Sequence, residues 1–442
     1  MEIGFISLGC AKNRVDTEIM MALVRKSEHK LTNSIENADL VVINTCGFIN
    51  AAKEEAIDQI INTGQRKEEG KLRYIIAAGC LAQRYGQELL DELPEIDGLV
   101  GISTYHDLLT VIDQVTAGQR PACIKPAPAE FIERGERVLS TPAGSAYIKI
   151  TEGCDNHCTY CAIPLIRGPL RSNPEAEIIK EAENLALRGI KELVILGQDT
   201  ALYGRDLGMK NGLPSLLKQL NQIEGIEWIR LMYLHPAHIN QAIIEGVAEN
   251  NKVIPYLDIP VQHAASAILK RMNRGHDLEH LYALFDGLKT EVRDLVLRTT
   301  VMTGFPGETE RDFRQLADFV SSIRFDWLGC FAYSSEEGTA AALWPDQIPE
   351  EIKQERMNQI MKIQRKITRQ KNISRLGQTL PILITGQKSR NLYTGRGYYQ
   401  APEVDGITIV KTPQKLSKGE FVPVRLKGVR LYDMIGELAL EE

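Results

Sequence analysis

From its amino terminus the chain alternates short apolar runs with stretches of helical spacing. Residues 3–8 precede 18–26, residues 40–43 precede 51–61, and residues 74–78 precede 81–93. This βαβαβα rhythm predicts a parallel sheet, because each helical crossover returns the chain in the direction it left. Residues 118–139 break the rhythm with Pro121, Pro126 and Pro128, and Pro142 follows soon after, so the segment reads as a linker. Strand-like runs resume at 146–151, 192–196, 228–234, 256–261, 295–301 and 327–333. Helical spacing lies between them at 175–187, 239–248, 278–292 and 310–323. Six βα units predict an open, partial version of the eightfold barrel, with chemistry at the C-terminal ends of its strands. Residues 349–375 read as a charged helix leading out of that barrel or, more readily, as a solvated connector. Beyond it, β-type runs at 380–384, 407–410 and 421–426 among glycines predict a small closed barrel of the oligonucleotide-binding kind. The expected division is an α/β domain over 1–117, a linker over 118–139, a partial (βα)6 barrel over 140–370 and a terminal β-barrel over 373–442.

At 442 residues the chain holds about three domains of ordinary size. Hydrophobic content of 43% and charged content of 25% are those of a globular protein and exclude disorder as its main state. No apolar run approaches the ~18 residues that span a bilayer. Met1 leads at once into a strand-like segment without a signal-peptide layout, so a cytoplasmic location is expected. In that reducing compartment, clustered cysteines serve as metal ligands or catalytic groups more readily than as disulfides. A net charge of −6 argues against a nucleic-acid backbone as the main partner and favours a basic one. From residue 376 onward nine Lys and Arg face seven Asp and Glu, which offers phosphates little attraction. No GxxxxGK[ST] loop occurs, so nucleotide hydrolysis has no support. The first sheet has a flavin-binding layout, yet its loops carry cysteines where phosphate-binding glycines or hydroxyls would cluster.

Six of the eight cysteines fall into two sets of three. Cys10, Cys46 and Cys80 each follow one of the first three strands directly, in Leu8-Gly9-Cys10, Asn44-Thr45-Cys46 and Ala78-Gly79-Cys80. Parallel strands end at one shared edge, so these distant residues should meet. Cys154, Cys158 and Cys161 lie in one loop after the first barrel strand. Spacings of three and two residues let that loop wrap three corners of an iron–sulfur cube and leave one iron open. Closed zinc sites and most iron–sulfur clusters take four protein ligands. The alternative is a zinc knuckle completed by His157 or a distant cysteine. An open iron can chelate the amino and carboxylate groups of S-adenosylmethionine, which then supplies radical chemistry. Tyr160 suits adenine stacking, or a place in the core. Gln198 and Asp199 end the second barrel strand, where polar groups could hold the methionine or ribose of the cofactor. Gln262 and His263 end the fourth, and His263 reads more readily as a structural histidine. Arg167 and Arg171 either contact a carboxylate of substrate or cofactor or are surface arginines. Residues 304–308 shape the cofactor pocket or form a plain strand-to-helix turn. Cys123 and Cys330 have no partners by spacing and read as ordinary thiols.

Residues 5–18, reading FISLGCAKNRVDTE, together with Asn44-Thr45-Cys46-Gly47-Phe48-Ile49 and Gly79-Cys80, resemble the three amino-terminal cysteine motifs of a known family, the radical S-adenosylmethionine methylthiotransferases. The resemblance covers all three segments, the last being similar to that family's TRAM domain. It implies two 4Fe-4S clusters, the first on Cys10, Cys46 and Cys80 and the second, which binds S-adenosylmethionine, on Cys154, Cys158 and Cys161. In that family the second cluster cleaves the cofactor to a 5'-deoxyadenosyl radical that takes hydrogen from an unactivated carbon. The first cluster carries the sulfur, and another S-adenosylmethionine gives the methyl group. An electron donor such as flavodoxin or ferredoxin is implied, and the sulfur donor is unknown.

One branch of the family modifies an adenosine of transfer RNA. The other modifies the β-carbon of an aspartate in the twelfth small-subunit ribosomal protein, giving 3-methylthioaspartate. Ser7-Leu8-Gly9-Cys10 with Lys12-Asn13, Gly47-Phe48-Ile49, Gly197-Gln198-Asp199-Thr200, Tyr256-Leu257-Asp258-Ile259-Pro260 and YSSEEGT at 333–339 are similar to the ribosomal-protein branch. Glu403 and Asp405, in APEVDG at 401–406, read as an exposed turn or as carboxylates that dock a basic ribosomal protein. The competing readings are a transfer-RNA adenosine methylthiotransferase and a non-catalytic iron–sulfur redox or sensor protein. A carrier would rather close its clusters with a fourth cysteine.

Overall fold

A computed structural model describes residues 1–132 and 134–439, so residue 133 of the expected linker and residues 440–442 of the expected terminal barrel lie outside the described residues. The chain forms two compact units that interleave in sequence: Met1–Ser140, Thr151–Ser172 and Ser334–Ala342 in the first, and Thr141–Ile150, Asn173–Tyr333 and Leu343–Glu442 in the second.

The first unit is built on a six-stranded sheet in the order Lys30–Leu31, Glu2–Ser7, Leu40–Thr45, Tyr74–Gly79, Gly98–Val100, Ala122–Cys123. Every pairing is parallel. All residues of Leu40–Thr45 are buried, which is why this strand reads as a continuous apolar run rather than an alternating one. Val41, Ile43, Ile75, Ala77 and Leu99 pack with Ala56 and Ile60 of the helix Asn50–Glu68. Three strands were expected and six occur; the additional ones have two or three residues, too few to show a period. One of them, Ala122–Cys123, lies in the segment expected to be a linker and pairs with Gly98–Val100. The first helix spans Ala11–Lys26 rather than starting near residue 18, because buried Lys12, Asn13, Asp16, Thr17 and Glu18 interrupt its apolar pattern. The stretch 81–93 is two short helices, Cys80–Tyr85 and Gln87–Glu92, separated by Gly86 at φ +52°.

The second unit carries a six-stranded parallel sheet that stays open, in the order Trp327–Ala332, Val296–Thr303, Val253–Asp258, Trp228–Leu231, Glu192–Leu196, Ser145–Lys149. The helix Glu350–Ser374 leads from it to a closed barrel of Thr379–Ser389, Leu392–Arg396, Thr408–Lys411, Asp433–Leu438 and Phe421–Arg430. Leu392–Arg396 and Asp433–Leu438 escaped the sequence pattern because each is short and carries a glycine.

Residues 396–406 cover the starts of the parallel strands. Buried Glu192 pairs with both Arg396 and Arg230, Arg230 also donates to Tyr398 O at 2.8 Å, and Trp327 Nε1 donates to Tyr399 O at 2.6 Å. Burial alone would raise the Glu192 carboxyl, but the two arginines win and hold it down to about 2. Asp405 overturns the docking expectation. Its side chain is 1% exposed, accepts a 2.6 Å bond from Tyr256 Oη and lies 3.4 Å from Arg298 Nε. Burial pushes it up to about 6 despite that arginine. Glu403 stays exposed and accepts from Tyr147 Oη at 3.1 Å. Among the described residues, no helix is long and apolar enough to cross a membrane.

Candidate metal centres

In the first unit Glu2–Ser7, Leu40–Thr45 and Tyr74–Gly79 are adjacent, with Ser7 beside Asn44 and Asn44 beside Ala78. Cys10, Cys46 and Cys80 therefore leave one sheet edge together. The glycines before two of them are required by crowding. Gly9 sits at φ +84°, and a Cβ there would stand 2.9 Å from Cys46 Cβ; Gly79 sits at φ +91°, where a Cβ would meet Asn44 Oδ1 at 2.1 Å.

Asn13 ties the edge together. Its Nδ2 donates to Leu8 O at 3.3 Å and Thr45 O at 2.9 Å, while its Oδ1 faces the thiols of Cys10 at 4.0 Å and Cys80 at 3.6 Å. Asn44 Nδ2 donates to Asn13 O at 2.8 Å and to Thr17 Oγ1 at 2.9 Å. Cys10 is exposed, Cys46 half-buried and Cys80 buried, so the centre opens on one side. Burial, then the nearby charges of Cys80 and Cys10, push the Cys46 thiol up to about 12. Burial likewise raises Cys80, against the pull of Arg167. Two of the three thiols, Cys46 and Cys80, thus resist ionisation on their own, and a cationic iron centre would deprotonate and satisfy them. The donors fit a cluster with an open position.

The second trio also belongs to the first unit and uses a different device. Thr151–Glu152 and Arg171–Ser172 pair antiparallel and clasp the loop at its base. Cys154 N donates to Gly168 O at 3.1 Å, and Leu170 N to Asp155 Oδ1 at 2.9 Å. Gly153 turns at φ +72°, where a Cβ would stand 1.9 Å from Pro169 O. Within the loop, Cys161 N bonds Cys158 O at 3.0 Å, and Asn156 N points at Cys154 Sγ at 3.4 Å. Cys158 and Tyr160 are buried, whereas His157 is exposed. Ala341 N reaches Thr159 O at 2.9 Å from the segment Ser334–Ala342. Arg167, read from sequence as a surface residue or a substrate contact, is buried beside Cys80 and donates to Glu152 Oε2 at 2.8 Å. Sequence reasoning missed Asn13 as a site residue and missed the contact of Arg167 with Cys80, since neither sequence position shows that its polar head is buried against sulfur.

In the second unit Asp199 is buried. Its Oδ1 accepts from Ala201 N at 3.2 Å and His235 N at 3.3 Å, and its Oδ2 lies 2.6 Å from His238 Nδ1. The His235 ring stacks on His238 at 4.8 Å and meets His276 edge-on at 5.7 Å. Burial and then Arg274 drive His235 far below its ordinary value and His276 down to about 3, so both rings stay neutral. Gln198 beside Asp199 is half-buried.

His263 is fully buried, with Nδ1 accepting from Ala265 N at 2.9 Å and Nε2 3.6 Å from Glu308 Oε2, which is a structural role. Glu308 also accepts from Gly304 N at 2.6 Å and Arg356 Nη1 at 2.8 Å. Residues 304–308 thus form the turn into the capped helix Glu310–Ile323. Gln262 N joins Thr300 O at 2.9 Å. Burial pushes the Cys330 thiol up to about 12, where it is unreactive. Cys123 lies in the edge strand with its sulfur 3.7 Å from Asp107 Oδ2.

Comparison with known proteins covers the same segments. Residues 2–101 match the model described as Uncharacterized protein family UPF0004, residues 148–320 the Radical SAM superfamily, and residues 376–439 the TRAM domain. The ribosomal protein uS12 methylthiotransferase RimO of Syntrophomonas wolfei is 56% identical over 437 residues, covering 99% of this chain and 100% of the relative. The protein of the same name from Clostridioides difficile is 44% identical, covering 100% of this chain and 99% of the relative. The radical S-adenosylmethionine methyltransferase TsrM of Kitasatospora setae aligns with TM-score 0.58 at 14% identity over 77% of each chain, which is a likeness of fold.

Proposed function

The chain belongs to the RimO-like branch of the radical S-adenosylmethionine methylthiotransferases, and from that premise we propose that it inserts sulfur and a methyl group at the β-carbon of an aspartate in ribosomal protein uS12, giving 3-methylthioaspartate. One observation carries the reading: three cysteines converge at a sheet edge in a chain that aligns end to end with relatives of that name.

Cys10, Cys46 and Cys80 would hold the first 4Fe-4S cluster, and Cys154, Cys158 and Cys161 the second, which binds S-adenosylmethionine. When bound, the second cluster and its cofactor would supply a carbon-centred radical, the kind of reagent an unactivated C–H bond requires. The chain's own residues keep that chemistry in line. The Thr151–Glu152 clasp fixes the ligand loop, and the Asn156 amide hydrogen-bonds one ligand sulfur. Tyr160 and Gln198 are assigned to the cofactor. Asp199 is assigned with them, and its Oδ2 orients the His238 ring through Nδ1 at 2.6 Å. The exposed side at Cys10 gives the sulfur and the substrate carbon their approach.

A net charge of −6 favours a basic protein over RNA as substrate. A reducing cytosol keeps six ligand thiols available, and a flavodoxin or ferredoxin provides the electron. The test is anaerobic incubation of the reconstituted protein with uS12 and, separately, with transfer RNA, followed by mass spectrometry. Methylthio replacing hydrogen on one uS12 aspartate is expected, and modification of RNA alone overturns the assignment.

A further inference from the structure

Arg167 closes the short helix Ile163–Arg167 that follows the second cysteine loop, yet its side chain is 1% exposed and reaches the other cysteine set. Nη1 donates to Glu152 Oε2 at 2.8 Å. Nη2 donates to Asn13 Oδ1 at 2.7 Å and to Cys80 Sγ at 3.2 Å, and lies 3.4 Å from Asp16 Oδ2. Ala162 and Ile166 of the same segment pack with Cys80 and Ile102 in one apolar cluster, which holds the arginine's backbone against that cysteine. The Arg167 carbonyl is engaged by Arg171 Nη1 at 2.9 Å.

We propose that Arg167 is a positioning residue that hydrogen-bonds the Cys80 sulfur and raises the reduction potential of the centre held by Cys10, Cys46 and Cys80. This rests on the reading that those cysteines carry an iron–sulfur cluster. A buried guanidinium needs anionic partners, and Glu152 and Asp16 already supply two. The bond to Cys80 is therefore not required to satisfy the arginine. It does something for the sulfur. Hydrogen bonds and positive charge at a ligand sulfur stabilise the more electron-rich state of a cluster and so raise its potential. Arginine suits this better than lysine, because its planar fork spans the carboxylate and the sulfur at once. The residue also belongs to the loop of the other trio, whose base is closed by Cys154 N on Gly168 O. One segment thus supplies three ligands to one centre and an outer contact to the next.

The test uses the full chain carrying Cys154→Ala, Cys158→Ala and Cys161→Ala, reconstituted with iron and sulfide so that only the first centre remains. Redox titration followed by electron paramagnetic resonance reads its midpoint potential. Adding Arg167→Met should shift the potential to more negative values, with Arg167→Lys between it and the parent. Asp16→Asn removes a negative charge beside the guanidinium without touching the sulfur, and should shift the potential the opposite way. A purely structural arginine would leave both Arg167 variants at the parent potential, which overturns the proposal. Where Arg167→Met holds no cluster, Arg167→Lys decides alone: a potential more negative than the parent's supports the proposal, and an unchanged or less negative one overturns it. A parent that binds no iron overturns the cluster reading and this proposal together. Bound iron with unmoved potentials overturns only the role of Arg167.

Discussion

Cys154, Cys158 and Cys161 are carried by eight consecutive residues, whereas Cys10, Cys46 and Cys80 reach one another only through a finished sheet. The loop-borne set needs a two-residue antiparallel clasp and one short loop, whose closure entropy is small. The dispersed set needs three parallel strands in register, contacts far apart in sequence that form late and slowly. A one-residue slip would turn each strand's side chains to the other face and scatter the thiols. Buried Asn13, bonded to the ends of two strands, guards against that slip. Two centres with the same number of ligands therefore have different weak points: local geometry for one, assembly of the sheet for the other.

The largest expected effect separates the sets by chemistry. Alanine at Cys154, Cys158 or Cys161 should reduce 5'-deoxyadenosine formation to background and abolish product. Alanine at Cys10, Cys46 or Cys80 should abolish sulfur insertion while cofactor cleavage continues, as read by chromatography of the nucleoside and mass of the substrate peptide. Continued cleavage in the first group would erase the distinction.

Gly153→Ala probes local geometry. Its Cβ would overlap Pro169 O at a backbone with φ +72°, so the loop must open, at a cost above the ~1 kcal/mol of an ordinary glycine replacement. Iron analysis should find the second centre's iron lost and the first centre's retained. Loss of both would show that the first centre also depends on the loop. The smallest effect contrasts two hydrogen-bonding side chains. Asn13→Ala strands one buried and one part-buried carbonyl of the sheet edge and should cost about 1–3 kcal/mol. Asp155→Ala removes one loop bond to Leu170 N and should cost about 1 kcal/mol. Denaturant unfolding of the two variants measures the difference, and equal costs would deny Asn13 its special place.

The same contrast governs what the sequence disclosed. The packed trio is visible as spacing alone. The dispersed trio is visible because each cysteine directly follows an apolar run and parallel strands end on one side. Edge strands such as Ala122–Cys123 and Lys30–Leu31 are too short to carry a period. The start of the helix Ala11–Lys26 was hidden because Lys12, Asn13, Asp16 and Glu18 are polar residues in core positions, Asn13 and Asp16 turned to the site and Glu18 paired with Arg137. Arg167 and Asp405 were misjudged for one reason. Residue type predicts exposure for charged side chains, and only the fold reveals the partners that permit their burial.

The segment 396–406 ends in the terminal barrel but keeps its charges under the open sheet, with Arg396 on Glu192 and Asp405 beside Arg298. For anyone recombining such proteins, this makes the terminal barrel a poor interchangeable part. A chimera that imports a foreign barrel without matching residues at 192, 230, 256 and 298 would leave ionised groups buried and unmatched. Heredity faces the same bookkeeping: the two pieces must change sequence as a pair, so the terminal barrel's lineage is bound to that of the catalytic sheet it closes.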